Sequence, residues 1–112
     1  MFQGVASHAE RYMTLLSERQ RLVASNIANA DTPGYQTKDL DFRAEFENAV
    51  NGQSSAIVEP QGLETKADGN NVNLDREARL LAENALRFSV AENFAHGEIT
   101  QLRSAIQGGN NS

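Results

Sequence analysis

The sequence predicts a mainly α-helical protein, with long N- and C-terminal helices packed as an antiparallel, coiled-coil-like hairpin around a turn-rich middle. Three observations predict it. Apolar residues recur at threes and fours through residues 8–30, and every seventh residue from Leu74 onward. Between these stretches Gly, Pro, Ser and Asn are concentrated.

The first helix has a recognisable start. Ser7-His8-Ala9-Glu10 matches the S-x-x-E capping box, in which hydroxyl and carboxylate satisfy each other's orphan backbone donors. Tyr12, Met13, Leu16, Val23, Ile27 and Ala30 then form an apolar stripe, with Glu10, Arg11, Glu18, Arg19 and Arg21 largely elsewhere. Pro33 pushes Thr32 out of the α region, so the helix is expected from about residue 8 to about residue 30. Two asparagines, Asn26 and Asn29, sit near its end although their amides compete for backbone hydrogen bonds.

The middle segment, residues 31–72, opens with a turn. Pro33 and Gly34 suit the second and third positions of a type II turn, with Thr32 before them and Tyr35 after. Asp41 is placed to cap a short helix from Phe42 to Val50, with Phe42, Phe46, Ala49 and Val50 on one face and Gly52 as its stop. The stretch that follows, QSSAIVEPQGLETKADGNN, forms either a small β-hairpin or a mobile stretch.

The last segment, residues 73–112, is the most regular. Leu74, Leu81, Phe88, Ala95 and Leu102 form one heptad series, and Ala78, Ala85, Glu92, Ile99 and Ile106 the other. Asn73 is a suitable N-cap and Gly108-Gly109 a suitable stop. Gly97 weakens the helix by about 1 kcal/mol relative to Ala.

Length adds a constraint. The expected first helix spans roughly 35 Å and the last roughly 51 Å, at 1.5 Å per residue. An antiparallel pair therefore leaves roughly 16 Å of heptad seam without an intramolecular partner. A lone two-helix hairpin is also marginal. The expectation is an obligate assembler, poorly ordered as a free monomer.

Composition excludes several functions. The 112 residues carry a net charge of −5, concentrated in the middle segment. Residues 1–30 sum to +1 (Glu10 and Glu18 against Arg11, Arg19 and Arg21), residues 31–72 to −5 and residues 73–112 to −1. That distribution argues against a nucleic-acid partner and against anionic membrane surfaces. No apolar run is long enough to span a membrane, and the N-terminus lacks the basic and apolar regions of a cleavable signal peptide. Without cysteine, disulfides and thiolate metal sites are excluded.

Catalytic and metal chemistry have little support. His8 and His96 have no second ligand at helical spacing, and Asp39, Asp41, Glu45 and Glu47 lack the order of a calcium loop. No nucleophile motif or phosphate-binding glycine loop is present. The expectation is a non-enzyme without cofactor or metal.

Two stretches carry a resemblance. LVASNIANADTPGYQTKDLDF (residues 22–42) and NNVNLDREARLLAENALRFSVAENF (residues 70–94) resemble the flagellar basal-body rod proteins, most closely their proximal-rod members. The likeness covers residues 12–50 and 70–107, and leaves residues 51–69 without a counterpart. It implies a structural subunit whose terminal helices build the axial tube that transmits torque. It also implies a periplasmic place in the basal body, reached through the flagellar type III export apparatus without a cleaved signal. The implied partners are other rod proteins, the ring or adaptor protein at the rod base, and the protein's own copies. In that frame Leu16, Val23, Ile27, Leu74, Leu81, Phe88, Ile99, Leu102 and Ile106 would form packed seams. Asn26 and Asn29 would bond across a helix junction and set its register. Alternatively, Asn29 merely helps to end the helix and Asn26 faces water. Thr32, Pro33, Gly34 and Tyr35 would turn the chain out of the tube, Tyr35 by packing. A different class of function, a helical-hairpin export chaperone or adaptor for another secreted flagellar protein, would form a small defined complex instead of a stack.

Overall fold

The structure, a computed structural model, describes residues 2–50 and 57–110. Its elements are α1 (Phe2–Ala28), β1 (Asp39–Leu40), α2 (Phe42–Val50), β2 (Ile57–Val58) and α3 (Leu74–Asn110). Asn26 meets Glu77 and Gln20 meets Asn84, so α1 and α3 run antiparallel. The result is an elongated hairpin of 71 × 27 × 18 Å.

α1 starts at Phe2, earlier than the capping-box motif suggests, and Ser7 lies inside the helix. Nothing between Phe2 and Ser7 breaks a helix except Gly4, whose cost of about 1 kcal/mol is tolerable. At the other end the Asn29 amide N–H bonds Ser25 O at 3.0 Å, and the chain then leaves through a turn at Thr32.

Two stripes of α1 are buried. Ala9, Leu16 and Val23 recur every seven residues, with Ala30 continuing the spacing in the turn after the helix, and Leu16 shares a groove with Ala85 and Phe88 of α3. Leu15 and Leu22, outside the expected stripe, pack with Leu40 and Phe42 into the hydrophobic core. Tyr12 meets the Phe42 ring edge-on, at 5.2 Å between centroids and 84° between planes. Ile27, expected in the stripe, is exposed.

α2 docks on this second stripe. Asp41 caps it, accepting from the Ala44 N–H at 3.3 Å. The side chains of Phe46, Ala49 and Val50, and Gly52 as a stop, lie outside the described residues. β1 and β2 pair antiparallel across α2, with Asp39 opposite Val58 and Leu40 opposite Ile57. The pairing therefore brackets the short helix and is not a local hairpin within the stretch after it.

α3 begins as its cap residue dictates. Asn73 Oδ1 accepts from the Arg76 N–H at 3.0 Å, and Asp75 and Glu77 in the first turn complement the helix dipole. The helix passes Gly97 and continues through Gly108-Gly109 to Asn110. Gly108 does not adopt the left-handed conformation a glycine stop requires. With 37 residues against 27, α3 exceeds α1 by about 15 Å.

The phase of α3 differs from its hydrophobic pattern. Among its residues whose side chains are described, the buried ones are Glu77, Asn84 and Ala91, a heptad series displaced by three from Leu74, Leu81 and Phe88. Leu74 and Leu81 are consequently exposed, 53% and 37%, while Phe88 is half-buried. The side chains of Ile99 and Leu102 lie outside the described residues.

This distribution separates core from surface among the leucines. Leu15→Ala is expected to cost about 3 kcal/mol in urea unfolding, because it opens a cavity in the α1–α2 cluster. Leu86→Ala, on the exposed side of α3, is expected to stay within about 0.5 kcal/mol of wild type.

Candidate functional site

Where α1 gives way to the Thr-Pro-Gly-Tyr turn, a polar network replaces apolar packing. Tyr35 N–H bonds Thr32 O at 3.2 Å and Gly34 has φ of +76°, the geometry of a type II turn with Pro33 at its second position. Gly69 (φ +86°) approaches this turn so closely that a Cβ there would lie 3.3 Å from Gly34 Cα. The two glycines allow residues 66–72 to lie against the end of α1.

Asn26 is the centre of the network. Only 1% exposed, its Nδ2 donates to Lys38 O at 2.8 Å and to Glu77 Oε2 at 3.2 Å. Its Oδ1 accepts from Tyr35 Oη and from Lys38 N–H, both at 3.1 Å. Both donors and both lone pairs are used, so one amide joins α1, the elbow and α3. Asn29 plays a more local part. Its Nδ2 returns to Ser25 O at 2.9 Å and its Oδ1 accepts from Thr32 Oγ1 at 3.0 Å, so it closes the helix end and bonds to no other helix. Tyr35 is held through its hydroxyl rather than by apolar packing alone.

Residues that the sequence pattern did not mark complete the elbow. Asn70 Nδ2 donates to Asn29 O and Thr32 O at 2.9 and 2.8 Å, taking up carbonyls that the helix end leaves open. Lys66 Nζ reaches Ala30 O at 3.2 Å. Asn71 Oδ1 accepts from Thr37 N–H at 2.6 Å, and Gln36 Nε2 donates to Gly69 O at 2.7 Å. Their side chains are the polar, turn-forming types that mark any loop, so composition does not single them out.

Charge reinforces the junction. Arg19 grips Asp39 with two bonds of 2.9 Å, and Arg76 bridges Asp39 and Glu77 with bonds of 2.7 Å each. Two cations thus balance two carboxylates that are almost wholly buried. Burial alone would raise the Asp39 pKa. Arg19, through its hydrogen bonds and charge, then the Leu40 N–H and Arg76 outweigh it and hold the carboxyl below its ordinary value.

The rest of the hairpin presents apolar surface. Leu74, Leu81 and Ile106 (57% exposed) lie along one side of α3. Leu86, Val90 and Phe94, nearly opposite on the helix, line a groove of about 530 Å³ with His8, Ala9 and Tyr12. The two-helix layer therefore offers apolar contact on both faces. Contiguous exposed apolar surface of this kind marks contact sites in proteins generally. No described helix is long and apolar enough to cross a membrane.

Comparison with known proteins matches these features. A family described as "Flagella basal body rod protein" matches residues 8–36, α1 from His8 onward and the turn after it through Gln36. The flagellar basal body rod protein FlgB of Escherichia coli (strain K12) is 31% identical over 88% of this chain and 89% of its own length. Its counterpart in Salmonella typhimurium (strain LT2) is 32% identical over the same shares. That of Yersinia ruckeri is 28% identical over 95% and 96%.

The chain belongs to the flagellar basal-body rod proteins. Its function is structural, as a subunit of the basal-body rod, and the family is not enzymatic. The chaperone or adaptor alternative finds no support in these relatives, whose names are those of rod proteins.

Asn26→Leu is expected to destabilise the folded chain by about 3 kcal/mol in urea unfolding, since it strands buried partners on Lys38, Tyr35 and Glu77. The pH dependence has a definite sign. With Asp39 lowered in the folded state, its contribution is complete above the unfolded value near 3.8 and is lost as pH falls through the folded value. Asp39→Asn is expected to flatten that acid limb and to cost about 3 kcal/mol at pH 7, measured by denaturation from pH 7 to pH 2.

Proposed function

We propose that the chain is a subunit of the proximal rod that joins its neighbours through the outward-facing heptad stripe of α3. Its elbow keeps α1 and α3 in fixed register during assembly. The observation that carries this reading is the displaced phase of α3. Glu77, Asn84 and Ala91 serve the intramolecular contact, and Leu74, Leu81 and Ile106 remain for another helix.

Magnitudes favour an intersubunit role for that stripe. Each large apolar side chain moved from water into a packed seam contributes about 1.5–3 kcal/mol. The described part of the α3 face toward α1 buries only one apolar residue, Ala91. The hairpin alone is accordingly weak along its length, and most of the available apolar burial awaits a partner. The elbow supplies the firmly bonded end from which the two helices extend.

In this reading the partners are other rod proteins, the ring or adaptor at the rod base and further copies of the chain. The site is the periplasmic rod, reached through the type III export apparatus. The residues proposed for the seams are those of the stripe together with Leu16 and Val23 beneath it. Ile99 and Leu102 continue its heptad spacing, and Thr32, Pro33, Gly34 and Tyr35 direct the chain outward from the tube.

Leu81→Asp tests the reading directly. It is expected to leave the helicity of the purified chain unchanged, because the Leu81 side chain faces outward. It is expected to abolish rod assembly and motility, because a charge would be buried in the seam. Wild-type swimming in that variant would refute the seam.

A further inference from the structure

One side of α3 carries charges that complement their own reverse. Asp75, Arg79, Glu83 and Arg87 follow one another at intervals of four, alternating in sign, and all four are exposed. Charges at this spacing can pair along a helix, yet among the described ion pairs none joins two of them. Beside this row lies an apolar one, Ala78, Ala82 and Leu86, also exposed and also spaced by four. Ala82 stands two residues from the buried Asn84, about 200° round the helix, so the apolar row points away from α1.

A helix laid on that row must match the charges beside it. A second α3 laid parallel and in register sets like against like at every step. Laid antiparallel, it sets Asp75 opposite Arg87 of the other copy and Arg79 opposite Glu83, and by symmetry the reverse pairs as well. The midpoint of the charged row is Leu81 and that of the apolar row is Ala82, about 1.5 Å apart along the helix. One two-fold axis therefore serves both rows. About it Ala82 meets its own counterpart, small enough for close approach, and Ala78 meets Leu86 of the other copy. Leu81 and Ala85, exposed on the other flank, come together there too.

We infer that α3 of the free chain pairs with α3 of a second copy, antiparallel about Ala82, and that this pair is the unassembled form of the protein. Charge selects the occupant, because the row on one copy is the complement that the other requires. The claim about the unassembled form rests on the rod-subunit reading above. A tube grows by head-to-tail contacts that keep every copy in one direction, whereas a two-fold contact is closed. The pair also covers Leu81, which the rod contact uses, so a chain holds one contact or the other.

Sedimentation equilibrium of the purified chain is expected to show a concentration-dependent dimer. Arg79→Glu spoils two contacts at once and is expected to raise the dimer Kd about tenfold. Adding Glu83→Arg is expected to restore it, because the signs are then exchanged and not lost. The chain has no cysteine, so a single thiol reports the geometry. Ala82→Cys is expected to link to its own counterpart on mild oxidation. Ala78→Cys is not, since its two copies lie about 12 Å apart along the helices, but it links when mixed with Leu86→Cys. Basal bodies isolated from Ala82→Cys cells are expected to lack the link. A chain still monomeric at about 1 mM overturns the inference. So does an Arg79→Glu dimer of undiminished affinity, a double variant that is not rescued, or Ala78→Cys linking as readily as Ala82→Cys. If a charge variant loses helicity by circular dichroism, the thiol results decide alone. Links at Ala82→Cys inside isolated rods overturn the claim about the unassembled form. Loss of the pair leaves the rod-subunit reading intact, because Leu81→Asp tests that reading by assembly and motility in cells.

Discussion

The fold depends on one amide. Asn26 bonds at once to the elbow backbone at Lys38, to the Tyr35 hydroxyl and to Glu77 on the opposite helix. An apolar residue at this place could be buried equally well but would permit sliding, since apolar contacts have no direction. Four hydrogen bonds from one side chain admit one arrangement of three chain segments. The carboxylates of Asp39 and Glu77 extend that constraint, and Arg19 and Arg76 neutralise them. Such a buried network stabilises only when every member is satisfied. Asn70 and Asn71 belong to the same logic because they meet the groups that the end of α1 and the turn expose.

A polar junction frees apolar residues for other work. In a self-sufficient helical hairpin, Leu74 and Leu81 would face α1. Here Glu77 and Asn84 take that side and the leucines face outward. The intramolecular contact therefore gains little apolar burial from α3, and those leucines stay on the surface. The apolar groove of Leu86, Val90 and Phe94 on the opposite side of α3 gives the two-helix layer a second face for contact.

Much of this was legible in the residues and some was not. The helices, the cap at Asn73, the cap at Asp41 and the Pro33-Gly34 turn follow from local chemistry, which acts over a few residues and leaves a local mark. The motif at Ser7 misled because the same residues occur inside helices, and Gly108-Gly109 misled because glycine weakens a helix without forbidding it. Asn26 stood out as a poor helix former at a helix end, but its partners did not. Glu77 lies 51 residues away, and no spacing rule connects them. Asn70, Asn71, Arg19 and Arg76 resemble ordinary loop and surface residues until the chain brings them to the elbow.

By itself, then, the sequence determined a pair of long amphipathic helices, a sharp turn after the first, a period of seven in the second and a likeness to rod proteins. These depend on backbone propensity and on the spacing of apolar side chains, both of which are properties of neighbouring residues. Only the tertiary structure decided which stripe of α3 meets α1. Hydrophobic pattern favours Leu74, Leu81 and Phe88, but the bond from Asn26 to Glu77 and the ion pair from Arg76 to Asp39 put the face of Glu77, Asn84 and Ala91 against α1. A period is written in the order of residues. Its phase against another helix is set by directional bonds that exist only once the two helices have met.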